Sequence, residues 1–218
     1  ALCDVAGSVV AIERDAALLP ALASTTSGCD RFAVVEADAV RVNPSAVSAA
    51  FGPPVALVAN LPYGVAATVV LRFFEIFPSL QQATVMVQSE VADRMAANPG
   101  GKEYGSYTVK LRMYAEPAGR FSVARGCFLP SPRVDSSVLR LERRVLSDDP
   151  LLSARAARVA DAAFAQRRKT IRNSLKAALG ADIEKIDAAL AETGIDGSAR
   201  AEVLPPEAFI ALAVALDR

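Results

Sequence analysis

One four-residue segment, Asn60-Leu61-Pro62-Tyr63, combines residue types that suit chemistry on an exocyclic amine of a nucleobase. The lone pair of such a nitrogen is delocalised into the ring, so the amine is a poor nucleophile. The Asn60 amide oxygen and the Leu61 carbonyl would accept hydrogen bonds from the two amine hydrogens. They would thereby stabilise the positive charge that develops on nitrogen. Pro62 fixes the backbone without offering an N–H, and Tyr63 offers a flat face for an extruded base. The segment therefore predicts a site for group transfer to an amino nitrogen.

Two carboxylates follow other short apolar runs. Glu13 comes after residues 8–12, and Asp38 comes shortly after residues 31–35. Ligands bind at the carboxyl ends of strands in open parallel sheets, where Glu13 would accept ribose hydroxyls and Asp38 an adenine amino group. Taken alone, each is more often a helix cap or a solvated loop residue. Together with Asn60 they place three polar groups at three expected strand ends.

A dense group of cations lies further along the chain. It has no carboxylate between its first and last members and consists of Arg167, Arg168, Lys169, Arg172 and Lys176. Such a cluster suits phosphate contacts on folded RNA. The alternative is a solvated helix face, which is the usual meaning of a charge run. The absence of interleaved acids favours the RNA interpretation.

The elements that must position these groups alternate between short apolar strands and helices. Strands are expected at residues 8–12, 31–35, 55–59 and 83–88, and helices at 16–24, 44–51, 65–77 and 89–97. Further strands are expected at residues 107–114, 119–123 and 136–142. This alternation predicts an α/β domain with a largely parallel sheet.

The second half of the chain changes to a helical pattern. Asp148-Asp149-Pro150 is a helix-start signal, and helices are expected at residues 150–165, 168–179, 182–192 and 205–216. We therefore expect two domains, residues 1–147 with the sheet and residues 148–218 as a small all-helical domain that binds RNA.

Composition narrows the function further. The 218 residues contain no histidine, which excludes histidine-based triads and most catalytic zinc sites, so no metal is expected. Three scattered cysteines show neither metal spacing nor a disulfide framework, which fits the reducing cytoplasm. No apolar run approaches the length of a membrane span, so no membrane partner is expected. The formal net charge is zero, and such a balance neither supports nor excludes binding of nucleic acid. The sequence contains no oligomer signal, so we expect a monomer.

These segments resemble the ribosomal RNA adenine dimethyltransferases almost from end to end. Residues 60–63 are similar to the Asn-Leu-Pro-Tyr motif of the family, and residues 104–107 (Tyr-Gly-Ser-Tyr) resemble a later loop of it. Residues 128–136 are similar to its Phe-x-Pro-x-Pro-x-Val-Asp-Ser segment. Residues 164–173 resemble the Phe-x-Gln-Arg-Arg-Lys-Thr-x-Arg-Asn segment of the bacterial small-subunit (16S) branch, the KsgA/RsmA type.

The resemblance implies a Rossmann-like methyltransferase sheet that uses S-adenosylmethionine and releases S-adenosylhomocysteine. Glu13, Asp38 and Asn60 would contact this cofactor, and Phe128 would pack on the target base. The implied reaction gives dimethyladenosine at two adjacent adenosines near the 3′ end of small-subunit ribosomal RNA. The implied partners are that RNA and the 30S particle, with a role in small-subunit maturation.

Two departures from the family pattern stand out. Gly64 occupies a position where the family often has asparagine, which leaves the four preceding residues intact. The opening strand and Gly-rich loop of the family have no counterpart, and residues 1–5 look like the end of the helix that follows that loop. We therefore expect this chain to be truncated, to bind the cofactor poorly and to be inactive in transfer. Measurable cofactor affinity by calorimetry on the 218 residues would contradict this.

Three other functions stay open. A large-subunit methyltransferase of the macrolide-resistance type shares the chemistry, but the segment at residues 164–173 argues against it. A non-catalytic RNA-binding or ribosome-assembly factor would use the same fold for docking only. A DNA adenine methyltransferase shares the type of loop at residues 60–63 but gives no reason for the helical second half.

Overall fold

The structure is a computed structural model that describes all of residues 1–218. Two compact units divide the chain, residues 1–85 and residues 86–218, and each is described by itself. None of the helices is long and apolar enough to cross a lipid bilayer.

The first unit alternates helices and strands as the pattern predicts. Its elements are α1 (Leu2–Val5), β1 (Val9–Glu13), a 3-10 turn (Ala16–Leu18), α2 (Leu19–Thr25), β2 (Phe32–Glu36), α3 (Pro44–Ser48), β3 (Ala56–Asn60), α4 (Ala66–Ile76) and most of β4 (Gln82–Gln88). Local side chains start two of them. Asp15 accepts a hydrogen bond from the backbone of Ala17, and Asn43 accepts one from the backbone of Ser45, which satisfies orphan donors at these helix starts.

β1 and β2 form a parallel pair, as expected, with Val9 opposite Phe32 and Glu13 opposite Glu36. β3 and β4 are neighbouring strands of a second sheet. Because β1 and β2 run in the same direction, their carboxyl ends lie at one edge of the sheet. That edge is where the two predicted carboxylates belong.

Helix α4 supplies much of the core of the first unit. Its buried residues recur at positions i, i+3, i+4, i+7 and i+8, the spacing of one helix face: Ala66, Val69, Val70, Phe73 and Phe74. The Phe73 ring lies 5.3 Å from that of Phe77, the next residue after the helix. No residue of β1 or β2 is fully buried. The segment between β3 and α4 is thus attached to the best-packed part of the unit.

The second unit contains most of the helices. Its elements are α5 (Ser89–Ala96), α6 (Ser106–Arg112), β5 (Ala115–Val123), a 3-10 turn (Arg125–Cys127), β6 (Ser136–Arg143), α7 (Pro150–Phe164), α8 (Ile171–Leu179), α9 (Ile183–Glu192), a 3-10 turn (Ala201–Val203) and α10 (Pro206–Ala215). β5 and β6 pair antiparallel, with a register irregularity between Pro117 and Gly119. The expected strands at residues 119–123 and 136–142 are confirmed within longer ones.

Two sequence-based assignments in this unit are wrong. Residues 107–114 were expected as a strand, but residues 106–112 form the helix α6. The helical conformation buries Thr108, Val109 and Leu111 on one face, which favours it over a strand. The helix expected from residue 168 begins instead at Ile171, where the Thr170 side chain accepts from the backbone of Asn173. Residues 165–169 are therefore a connecting turn.

The core of the second unit joins all of its later helices. Ile171, Leu175, Ile186, Phe209 and Leu212 are fully buried members of one cluster. Earlier residues belong to the same cluster, namely Tyr104, Val109 and Met113. The Tyr104 hydroxyl donates a hydrogen bond to the Leu204 carbonyl at 2.8 Å. The boundary expected between residues 147 and 148 stays a prediction.

Candidate active site

The carboxyl ends of β1 and β2 bring two candidate carboxylates to one sheet edge. Glu13 is the last residue of β1, and Asp38 follows β2 by two residues. The backbone N–H of Ala37 donates to the Glu13 carbonyl at 3.0 Å, so the parallel pairing continues one step beyond the strands. Both side chains are half-buried. The structure therefore places Glu13 and Asp38 on adjacent strand ends, as the sequence predicts.

Local backbone donors hold one oxygen of each carboxylate. Glu13 Oε1 accepts from the Asp15 N–H at 2.7 Å, and Asp38 Oδ1 accepts from the Val40 N–H at 2.9 Å. The second oxygen of Asp38 lies 4.0 Å from the Arg14 guanidinium. An ionised carboxylate has about four acceptor positions. Each group is thus oriented by the backbone and keeps acceptor capacity for a ligand hydroxyl or amino group.

The turn after β3 presents its residues alternately outward and inward. Asn60 ends the strand with an exposed side chain, Leu61 is 8% exposed, and Pro62 is exposed again. The Pro62 carbonyl accepts from the N–H groups of Val65 and Ala66, both at 3.1 Å, which leads the chain into α4. Burial of Leu61 therefore fixes the turn while the Asn60 amide stays accessible, and Tyr63 is half-buried beside it.

A second candidate segment, around Phe128, belongs to the other compact unit. Phe128 is half-buried and follows the 3-10 turn Arg125–Cys127. Asp135 ties this loop down, since its carboxylate accepts from the Arg125 N–H at 3.2 Å and its carbonyl accepts from the Ser89 N–H at 3.0 Å. The Ser131 hydroxyl donates to the Arg125 carbonyl at 3.0 Å. Asp135 is a polar residue within the Val-Asp-Ser stretch, which is a signal for this role in tying the loop, but the sequence alone does not show which donors it meets.

The cations of the predicted RNA-binding cluster occupy two different settings. Arg167, Arg168 and Lys169 are exposed on the turn between α7 and α8, and Lys176 is exposed on α8. Arg172 instead forms two hydrogen bonds with the Asp187 carboxylate on α9, at 2.5 and 2.7 Å. This pairing raises the pKa of Arg172 and lowers that of Asp187. Asp187 lies fifteen positions away in sequence, so nothing in the charge run indicated it.

Proteins of similar sequence decide the family. The sequence pattern described as Ribosomal RNA adenine dimethylase matches residues 1–217. The chain belongs to the ribosomal RNA adenine dimethylase family. Ribosomal RNA small subunit methyltransferase A of Rhodococcus erythropolis is 43% identical over 221 residues, which cover 98% of this chain and 73% of that protein. The protein of the same name from Magnetococcus marinus is 39% identical over 212 residues, covering 95% and 74%.

Solved structures confirm the expected fold class of this adenine dimethylase. The 23S rRNA methyltransferase ErmE matches with a TM-score of 0.69 and 28% identity, covering 100% of this chain and 85% of that one. A dimethyladenosine transferase from Plasmodium falciparum matches with a TM-score of 0.78 and 21% identity, covering 97% and 82%. The second likeness supports the fold alone. The predicted Rossmann-like α/β methyltransferase fold is therefore correct, and so is the predicted family.

Proposed function

We propose that this dimethylase transfers methyl groups to N6 of two adjacent adenosines near the 3′ end of small-subunit (16S) ribosomal RNA. The product is dimethyladenosine, formed in the cytoplasm by a monomer that docks on the 30S particle. The observation that carries the proposal is the turn after β3, where a buried Leu61 holds an exposed Asn60 amide at a strand end. The 43% identity to proteins named small subunit methyltransferase A supports the choice of RNA.

The residues of the turn would prepare the amine for reaction. The Asn60 amide oxygen and the Leu61 carbonyl each accept a hydrogen bond from an N6–H, which orients the nitrogen and stabilises the positive charge that develops on it. In each transfer the N–C bond forms as the S–C bond breaks, and the methylated nitrogen then releases one proton to solvent. These acceptors need no reorganisation, because the turn is already fixed by Leu61 and by the Pro62 carbonyl at the start of α4. Tyr63 would supply an aromatic face for the extruded adenine.

The edge formed by β1 and β2 fits the methyl donor, S-adenosylmethionine. When bound, this group supplies an electrophilic methyl on a sulfonium, whose departure leaves neutral S-adenosylhomocysteine. Glu13 would accept hydrogen bonds from the ribose hydroxyls, and Asp38 would accept one from the adenine amino group. Both carboxylates keep acceptor capacity after their backbone hydrogen bonds are counted, and Asn60 would lie beside the reacting end. No metal is required, because the neutral thioether that a sulfonium releases is a good leaving group.

RNA recognition would rest mainly on the turn between α7 and α8. Arg167, Arg168 and Lys169 are exposed there and can contact phosphates. Lys176 extends this surface along α8. Arg172, because it is held by Asp187, would mainly fix α8 against α9 and so position its neighbours.

Two of the rival functions have weaker support. Identity to the 23S rRNA methyltransferase ErmE is 28%, against 43% for the small-subunit relatives, which favours the small-subunit target. A purely binding role would not require the exposed amide of Asn60 or the two carboxylates at the β1 and β2 ends.

The proposal is tested by methyl transfer from labelled S-adenosylmethionine, using the protein as its gene encodes it. The acceptors are small ribosomal subunits from cells that lack this modification, with large subunits and naked DNA in parallel. We expect dimethyladenosine in small-subunit RNA alone. Asn60→Ala should lower kcat by on the order of 100-fold or more, as for other preorganised polar groups, while subunit binding is retained. Asn98→Ala, a matched change on an exposed loop residue, should keep full activity.

Other outcomes would contradict the proposal in distinct ways. Transfer to large-subunit RNA would assign the protein to the 23S type of activity. Tight binding of small subunits without any transfer would favour the assembly-factor role.

A further inference from the structure

A cavity of about 290 Å³ opens in the second unit, and Arg167 is the one residue of its lining that has a role assigned above. Its walls come from α5, from the loop that leads into α6, and from the end of α7 and the turn after it. The lining includes Tyr104-Gly105-Ser106-Tyr107, which is the end of that loop and the first two residues of α6, and the proposed mechanism leaves this segment without a role. Its volume is at the low end for ligand pockets, with room for about one nucleotide and not for a duplex.

Positive charge dominates the lining. Arg94, Lys102 and Arg167 face the cavity against one carboxylate, that of Glu103. The Lys102 side chain is 95% exposed, and its ammonium lies 3.9 Å from Glu103, so this contact is a weak surface pair. Arg94 bonds Glu90 at 3.1 Å on the same helix. Since Glu90 and Glu103 offset two of the three cations, the cavity keeps a net positive charge, and this favours an anionic ligand.

The RNA-binding turn and the cavity are physically joined. The Arg167 guanidinium donates to the Lys102 carbonyl at 2.9 Å, which holds the turn after α7 against the loop before α6. Arg167 is both a wall of the cavity and the first cation of the turn that continues with Arg168 and Lys169. A nucleic-acid strand whose phosphates contact that turn would therefore reach the mouth of the cavity.

Aromatic rings complete the lining. Phe164 is stacked on Phe209 with ring centres 5.9 Å apart and meets Tyr104 edge-on at 6.0 Å. Phe164 is thus held rigidly at the cavity wall, and the half-buried Tyr107 lies in the same wall. Cations beside fixed aromatic faces are the combination that proteins use for unpaired nucleotides, with phosphates on the cations and bases on the rings.

We propose that this cavity binds one unpaired nucleotide of the RNA substrate, at a place separate from the methylated adenosines. The inference rests on the proposed function, because that function supplies the RNA. Lys102 and Arg167 would contact phosphate, and the base would lie against Phe164 and Tyr107. The contact would fix the direction in which the strand leaves the Arg167–Lys169 turn.

The test measures how binding of unmodified small subunits depends on salt, for the protein as its gene encodes it. Each phosphate contact adds about 0.7 to 0.9 to the slope of log affinity against log salt concentration. Lys102→Gln should therefore lower the slope by about that amount. Lys185→Gln removes one exposed charge from α9, outside the cavity, and should leave the slope unchanged. Lys102 is so exposed that its substitution leaves the fold intact.

A direct contact test accompanies the slope. A benzophenone side chain introduced at Glu103 should crosslink to small-subunit RNA under illumination, and the same group at Glu184 on α9 should not. An unchanged slope in Lys102→Gln, or no crosslink from position 103, would overturn the inference.

The two proposals fail separately. Methyl transfer by a protein in which Lys102→Gln has no effect on the slope would reject the cavity and leave the proposed function standing. A reduced slope and a crosslink at position 103, in a protein that transfers no methyl group, would support the cavity and reject the catalytic proposal.

Discussion

The proposed cofactor-binding role of Glu13 can be tested against Glu36, a glutamate on the neighbouring strand. Glu13 and Glu36 are paired across β1 and β2, but only Glu13 is oriented by a backbone donor, the Asp15 N–H at 2.7 Å. If Glu13 binds the ribose, Glu13→Ala should raise the Kd for S-adenosylmethionine by roughly 10- to 100-fold, the range for losing a hydrogen bond to a charged group.

The measurement is calorimetric titration of the gene product, with Glu36→Ala as the matched control. The control should bind as the unchanged protein does, because Glu36 is exposed and has no such donor. Equal affinities for all three proteins would remove Glu13 from the cofactor site.

The ion pair of Asp187 with Arg172 predicts how the stability of the protein depends on pH. Its hydrogen bond from Arg172 lowers the folded-state pKa below the ordinary value of about 3.9. A carboxylate with a depressed folded pKa stabilises the protein above its unfolded pKa, and that contribution disappears as pH falls through the folded value. Asp187→Asn should therefore melt at a lower temperature than the unchanged protein at pH 7. The difference should shrink as pH falls below about 4.

Thermal melts between pH 7 and pH 2.5 give the comparison. Asp148→Asn, an exposed position before α7, should follow the unchanged protein throughout. A difference that stays constant down to pH 2.5 would mean that the Arg172–Asp187 pair is not its source.

Among the elements, α6 shows where local sequence misleads. Tyr107, Thr108 and Val109 are aromatic or β-branched and favour strands by themselves. As a helix, the same stretch buries Val109 and Leu111 and places Lys110 within 2.8 Å of Asp161 on α7. Packing against a helix some fifty residues away in sequence overrides the local preference, and no single-sequence pattern contains that partner. The strands of the first unit were predictable because each is a short apolar run between clear turns.

The first residue of α8 was also difficult to predict from local sequence. Arg168 and Lys169 are good helix formers, and only the capping residue Thr170 marks the true boundary. Since Thr170 caps the helix, the three cations before it lie on a turn and can approach an RNA surface independently of the helix axis.

The other end of α8 gives a prediction for this element. Gly180 follows the helix with φ of +62°, the left-handed conformation that ends many helices. Gly180→Ala should lower the free energy of unfolding by about 1 kcal/mol, the cost of a side chain in that conformation. Urea denaturation of the variant measures it.

Gly126→Ala is the matched control in the same unit. An added Cβ there meets nothing within 4 Å, and the residue does not adopt a positive φ. A loss in Gly180→Ala no larger than in Gly126→Ala would show that α8 ends in another way in solution.

At the scale of the whole molecule, the chemistry was easier to predict than the packing that supports it. Asn60 and Glu13 stand out because polar residues interrupt apolar runs, a pattern visible in one sequence. Tyr104, Phe164 and Phe209 form a stack from three distant parts of the chain. Each looks like an ordinary apolar position when taken alone, so the sequence did not indicate that they meet. This stack supports the cavity and the start of the RNA-binding turn.

Phe209→Ala tests how far that support extends. The Phe209 ring is 0% exposed and belongs to the core shared by α6 to α10. Its removal should lower the free energy of unfolding by about 3–5 kcal/mol, a large part of the 5–15 kcal/mol typical of whole proteins. Because Phe164 stacks on it, RNA affinity should also fall under conditions where the variant is still folded.

Phe121→Ala, at a side chain that is 62% exposed, should change stability by less than about 0.5 kcal/mol. Urea denaturation and subunit binding on the same two variants separate the effects. If Phe209→Ala loses stability but keeps full RNA affinity, the aromatic stack serves folding alone and the turn after α7 is positioned by the Arg167–Lys102 hydrogen bond.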